Sequence, residues 1–246
     1  MVGYTEYMGK NIKFVSLYDN VLEMFYPKPA VECIPDWYKL QTSYSNDKKS
    51  INSDGQVNLT IKRCVPVLDA ITAGYIISTC MDIEVSRKNN ATYFKWAGPF
   101  TGEFGSMNPI MFHGSDQVSS YPSLKDSDGV AKFINPWSIQ TPKGYSVIFI
   151  TPMHRDLPFE ILPGIVDSDT YSAEVNLPFF FKDPNWTGII PAGTPIAQVI
   201  PFKRDSWEMS MGDKKDRDRI IESRKIKNLF FVNVYRKMFW SKKSFK

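Results

Sequence analysis

Three cysteines and two histidines are all that the 246 residues offer to disulfide bonds or to the Cys/His ligation of zinc. Cys33, Cys64 and Cys80 are odd in number and none stands in Cys-x-x-Cys or Cys/His spacing, so no disulfide framework and no metal site is expected. Long apolar runs are missing as well. The longest, Ile189 to Ile200, is broken by Pro191, Gly193, Pro195 and Gln198, far short of the ~20 apolar residues that cross a bilayer, so an integral membrane protein is not expected, and no membrane is among the expected partners. Met1 to Lys13 holds neither an apolar core nor a small-residue cleavage site, so secretion through a signal peptide is not expected. Negative charge is absent from Ser223 to Lys246, where eight basic residues stand without one acid. The whole chain's net charge of +4 less these eight leaves −4 for the rest, so the basicity belongs to the tail.

What is present describes a folded, mainly β protein. At 43% hydrophobic and 14% aromatic residues, disorder, collagen and coiled coil are excluded. Residues 1–56 are aromatic and punctuated by Pro27, Pro29 and Pro35, which reads as an irregular N-terminal arm with one short helix from Asp36, closed by a polar boundary at Asp54-Gly55. Over 57–206, short β-branched and aromatic runs alternate with turn residues, the cadence of a barrel or sandwich. The predicted strands include Val57–Ile61, Ala73–Thr79, Tyr145–Ile150, Ile161–Val166 and Ile196–Phe202, with a long excursion at 98–128. Helical periodicity is expected only in 207–246. There Asp213 to Asn228 places acids early and bases late, as a helix dipole favours, ahead of the basic aromatic tail.

The tail interleaves charge with rings: Arg236, Lys237, Phe239, Trp240, Lys242 and Lys243. These side chains fit a polyanion such as nucleic acid, an anionic membrane surface, an acidic face or docking surface on another subunit, or a merely solvated terminus. In either binding case, cations without an internal anion need counter-charge from outside the segment. Asp167 and Asp169, in a turn between apolar strands, stand either as a carboxylate pair or as caps on turn amides. Gly164 and Gly193 are expected where a turn needs positive φ. His113 and His154 have Asp116 and Asp156 nearby but read as surface residues, and Cys64 and Cys80 as small buried hydrophobes.

Three stretches in order, Leu68 to Ile77 with Met81 to Val85, Pro163 to Val175, and Ile190 to Ile200, resemble motifs of the trimeric dUTPase and dCTP deaminase superfamily. That resemblance implies a β-clip fold, a distorted all-β barrel, and an oligomer such as a trimer. It implies Asp167 as the residue that activates water, Tyr171 beneath the deoxyribose, and Arg155 and Gln198 as nucleotide contacts, with Mg²⁺ if the chain is active. It also marks departures: Ile76 stands where the family has a metal-orienting Asp, Thr170 is an extra residue before Tyr171, no Ser-Gly follows Arg155, and the Gly-rich closing arm is missing. A second likeness runs over most of the chain. Pro35-Asp-Trp-Tyr-Lys, Phe133-Ile-Asn-Pro-Trp and Gly193 to Arg204 are similar to a family found in tailed bacteriophages, notably those of marine cyanobacteria. It implies a phage context, in the virion or the infected cytoplasm, and no chemistry.

Two classes of function follow. One is a non-enzymatic virion structural or assembly protein, bound to its own copies and to other phage structural proteins through its arms. The other is a nucleotide-binding protein or dUTPase/dCTP-deaminase-like hydrolase. The altered motifs and the aromatic arms, which are costly to order, favour the first.

Overall fold

A computed structural model describes residues 10–22, 25–51, 53, 55–89, 91–103, 105–117, 120–121, 129–229 and 233–246. The chain forms two compact units, one of residues 1–28 with 74–204 and one of 29–73 with 205–246. The expected segments 1–56, 57–206 and 207–246 are thus recombined. The start of the N-terminal arm belongs with the strands, and 57–73 belongs with the C-terminal region.

The first unit is antiparallel β. In chain order its strands are β1 (Lys13–Val15), β2 (Tyr75–Ser78), β3 (Ile83–Lys88), β4 (Ala91–Trp96), β5 (Phe100–Gly102), β6 (Gly105–Met107), β7 (Ile110–Gly114) and β8 (Gly129–Phe133). They continue as β9 (Ser138–Gln140), β10 (Tyr145–Ile150), β11 (Phe159–Ile161), β12 (Gly164–Val166), β13 (Leu177–Phe181), β14 (Gly188–Ile190) and β15 (Pro195–Lys203). One sheet runs β12, β10, β15, β2; another runs β11, β13, β8, β7; a third runs β14, β3, β4. β1 pairs with β9 and β5 with β6. Many small antiparallel sheets of short strands around one core are consistent with the expected β-clip class.

The core joins these sheets. Val147, Phe149, Ala197 and Val199 from the first sheet meet Phe133, Phe159, Leu177 and Phe179 from the second, all buried. Phe133 and Phe179 stack at 3.9 Å between ring centroids, with Phe159 edge-on to both. β3 shows why period two matters: Ile83 and Val85 are buried while Glu84 and Ser86 face out. The phrase Phe133-Ile-Asn-Pro-Trp leaves the strand as a closed turn. The fully buried Asn135 amide donates to the Trp137 carbonyl and its oxygen accepts the Trp137 N–H, so a polar side chain in the core is satisfied locally.

The second unit is mostly helical, with α1 (Asp36–Leu40), α2 (Val65–Thr72) and α3 (Lys214–Leu229). α1 and α3 lie where the sequence places them. The reciprocal caps between Asp213 and Asp216 explain why α3 begins there, each backbone N–H meeting the other's carboxylate. α2 is a correction, a helix beyond the two expected from Asp36 and after Trp207; Pro66 in its first turn presets φ where no amide partner is needed. Val57–Ile61 also departs from the predicted strand, keeping only single bridges at Val57 and Leu59 before a 3₁₀ turn. The Asn58 side chain there accepts from Ser50 N–H and donates to the Lys48 carbonyl, competing with a strand ladder.

Two further corrections fall in the first unit. Ile161–Val166 is two strands in different sheets, because Pro163 has no N–H to continue a ladder. Gly164 opens β12 without positive φ, whereas Gly193, at φ +81°, needs its freedom as expected. The excursion at 98–128 contains β5, β6 and β7, with 104, 118–119 and 122–128 outside the described residues.

Candidate functional site

The turn after β12 carries the two aspartates, and the fold brings them to one cation. Val147 of β10 lies opposite Val166, so Ser146 falls beside Asp167 and its hydroxyl donates to Asp167 Oδ1 at 2.6 Å. Arg204, one residue beyond β15, reaches both carboxylates. Its guanidinium lies 3.1 Å from Asp167 Oδ1 and makes a two-pronged contact with Asp169 at 2.8 and 2.5 Å. Asp169 Oδ2 also accepts the Gly144 N–H at 2.8 Å. The two acids differ in exposure, 62% for the Asp167 side chain and 3% for that of Asp169. Asp169 is therefore the turn cap of the sequence alternatives, while Asp167 remains open to solvent beside Tyr171, itself half exposed. The Tyr171 N–H closes the turn on the Asp167 carbonyl at 2.9 Å.

The Arg204 hydrogen bonds, then the Gly144 N–H, hold the Asp169 carboxyl down at about 2. A folded-state value below the unfolded one stabilises the fold above about pH 4. That contribution is lost as pH falls from there through about 2. In Arg204→Ala the acid limb of a pH-resolved melting series should shrink and move toward pH 4, with the Gly144 N–H preserving part of it. Identical acid limbs in the two proteins would show that the guanidinium does not set the Asp169 titration.

The other two predicted contacts lie elsewhere. Gln198 is buried, 1% exposed, and its side-chain oxygen accepts the Met153 N–H at 3.0 Å, fixing the turn that carries Arg155. On β15, Gln198 stands opposite Ile150 on one side and Ile76 on the other. Ile76 is itself 2% exposed, an apolar core residue. Asp167 meets β10 at Ser146 and Gln198 meets it at Ile150, four steps apart, which along a strand is about 13 Å. Asp167 and Tyr171 thus form one cluster and Gln198 with the Arg155 turn another, at opposite ends of β10.

No protein-family model and no curated relative matches the chain. Among solved structures the chain is similar to the dUTPase of Staphylococcus bacteriophage 80alpha. One such structure is a single-substitution variant with dUpNHpp, 11% identical over 83% of this chain and 89% of that one at a TM-score of 0.34. In another structure of that phage dUTPase the identity is 11%, the coverage 83% of this chain and 97% of that one, and the TM-score 0.34.

Within the second unit the tail finds an internal anion. Asp69 of α2 accepts the Trp240 indole N–H at 2.9 and 3.1 Å and pairs with Lys243 at 2.7 Å. The Arg236 guanidinium stands 5.8 Å from the Trp240 ring centroid. So the counter-charge for Lys243, required from outside the tail, comes from 171 residues before Trp240 in the chain. Phe239 is half exposed, and Lys237 and Lys242 face solvent.

Sequence reasoning missed Arg204 and Asp69. Neither has a local signal, since Arg204 is one more cation after a strand and Asp69 one acid on a short helix. Cys80 is buried as expected, and burial pushes its thiol up to about 11. Cys64 is half-buried at the start of α2. His154 is exposed at φ +57° and His113 is half-buried on β7. Among the described residues no three His, Cys, Asp or Glu side chains converge as a metal site would need, and no helix is long and apolar enough to cross a membrane.

Proposed function

We propose that the chain is a non-enzymatic bacteriophage protein, a virion structural or assembly component built on a catalytically degenerate dUTPase-like fold. The observation that carries this reading is what occupies the catalytic positions. Asp167, the residue the resemblance makes the activator of water, shares Arg204 with Asp169, and the place of the metal-orienting acid is the buried Ile76. Gln198 spends its side-chain oxygen on a backbone amide. A magnesium ion does not fit residues so arranged, because one donor is a hydrocarbon and the two carboxylates already face a guanidinium. The phage context rests on the phrases similar to the tailed-phage family, and with it go the partners: other copies of the chain, other phage structural proteins, and nucleic acid at the basic tail.

A nucleotide-binding or hydrolytic reading keeps one observation in its favour, the exposure of Asp167 and Tyr171 on the same turn. Incubation with dUTP or dCTP and Mg²⁺ should release no pyrophosphate above the blank. Turnover near the enzyme median of about 10 s⁻¹, abolished by Asp167→Ala, would establish the hydrolase instead. Mass spectrometry of purified particles should find the chain in the virion, and its absence would remove the virion structural role.

A further inference from the structure

The second unit contains a groove of about 1250 Å³, floored by apolar side chains of its two halves: Val57, Leu59 and Val65 from one, Ile220, Tyr235 and Phe239 from the other. Ile220, Tyr235 and Phe239 are each about half exposed, so the groove presents apolar surface to water. Four arginines line it, Arg63, Arg219, Arg224 and Arg236, and no acid does so among the described residues. Arg63 donates to Asn233 within the wall, and Arg219 makes a 3.8 Å ion pair with Asp216. The volume exceeds the ~300–1,000 Å³ of small-molecule sites, which suits a length of polypeptide better than a metabolite.

A segment of complementary chemistry lies in the same unit. Asp205 to Asp213 has no helix and no strand pairing, and carries Asp205, Glu208 and Asp213 without a single basic residue. Trp207, Met209 and Met211 are 91%, 91% and 92% exposed. They alternate with polar or small residues, so an extended conformation puts all three on one face. A Trp and two Met this exposed are rare on a surface without a partner, and Trp is the side chain most often found anchoring interfaces. Met adapts to irregular apolar walls. The acidic, alternating segment matches the arginine-lined apolar groove in charge and in pattern. It leads directly into α3, whose Arg219 and Arg224 belong to that groove, and yet Trp207, Met209 and Met211 stand in solvent.

We propose that the groove of each chain receives the segment Asp205–Asp213 of a second copy, Trp207, Met209 and Met211 entering the apolar floor while Glu208 faces Arg219, Arg224 and Arg236. The proposal deepens the reading of the chain as an assembly protein and rests on it only in taking a second copy as the occupant. Each chain donates one segment and receives one, which closes either as a two-fold dimer or as a head-to-tail ring.

Light scattering of the full chain tests this with two variants on exposed positions: Trp207→Ser with Met209→Ser and Met211→Ser, which removes the donor, and Arg219→Glu with Arg224→Glu, which cancels the acceptor's positive charge and sets two acids against the incoming ones. The unaltered protein should associate at tens of micromolar, less strongly as salt is raised. Each variant alone should be monomeric, and an equimolar mixture should form a one-to-one complex, because one intact donor then meets one intact acceptor. An unaltered protein that stays monomeric at 100 µM, or a donor variant that associates as well as the parent, would overturn the proposal. Either result would leave the non-enzymatic reading to its own hydrolysis assay.

Discussion

Phe179→Ala should lower the stability of the β-rich unit by about 3–5 kcal/mol. Phe179 is 2% exposed and sits at the centre of the aromatic core, stacked on Phe133 at 3.9 Å and edge-on to Phe159 at 5.8 Å and to Phe181 at 5.5 Å. Its removal forfeits the transfer energy of the ring and leaves a cavity between two sheets that the strand ladders hold apart. Phe179→Leu refills most of that volume and should cost clearly less. Urea denaturation followed by near-ultraviolet circular dichroism measures both. A loss below about 1 kcal/mol for the alanine would mean that the two sheets do not close on this ring.

Gly74→Ala is expected to be at least as damaging, for a different reason. Gly74 has φ +68°, and a Cβ built there would overlap the Val199 carbonyl oxygen of β15. The left-handed conformation alone costs an alanine about 1–2 kcal/mol. The clash adds to that, because the obstacle is backbone of a strand paired on both edges and cannot turn aside as a side chain would. Gly144→Ala separates the two contributions: its φ is +85° but nothing lies within 4 Å of the added methyl, so only the conformational cost should appear. The melting temperature of Gly74→Ala should fall well below that of Gly144→Ala. Equal losses would show that β15 can yield at Val199.

Much of the secondary structure was legible because it depends on neighbours in the chain. β10, β4 and β15 follow runs of β-branched and aromatic residues, and α3 begins at an acidic cap and carries its bases late. Where local rules competed, the reading slipped. Asn58 side-chain bonds replaced a predicted strand, Pro163 cut another in two, and the first-turn Pro66 opened a helix that runs into the stretch Leu68 to Ile77 read as a motif.

The sequence by itself determined a mainly β chain with a C-terminal helix, a basic aromatic tail and Gly193 in a left-handed turn. These follow from residue type and spacing over a few positions, which is the range of backbone sterics and side-chain periodicity. Only the tertiary structure decided that Arg204 holds Asp167 and Asp169, that Asp69 meets Trp240 and Lys243, and that Trp207, Met209 and Met211 stand uncovered in the unit that carries an arginine-lined groove. The reason is physical: a charge pair or a covered face is fixed by which strands and helices pack together, and residues 35 or 171 positions apart leave no trace of that meeting in their own neighbourhoods.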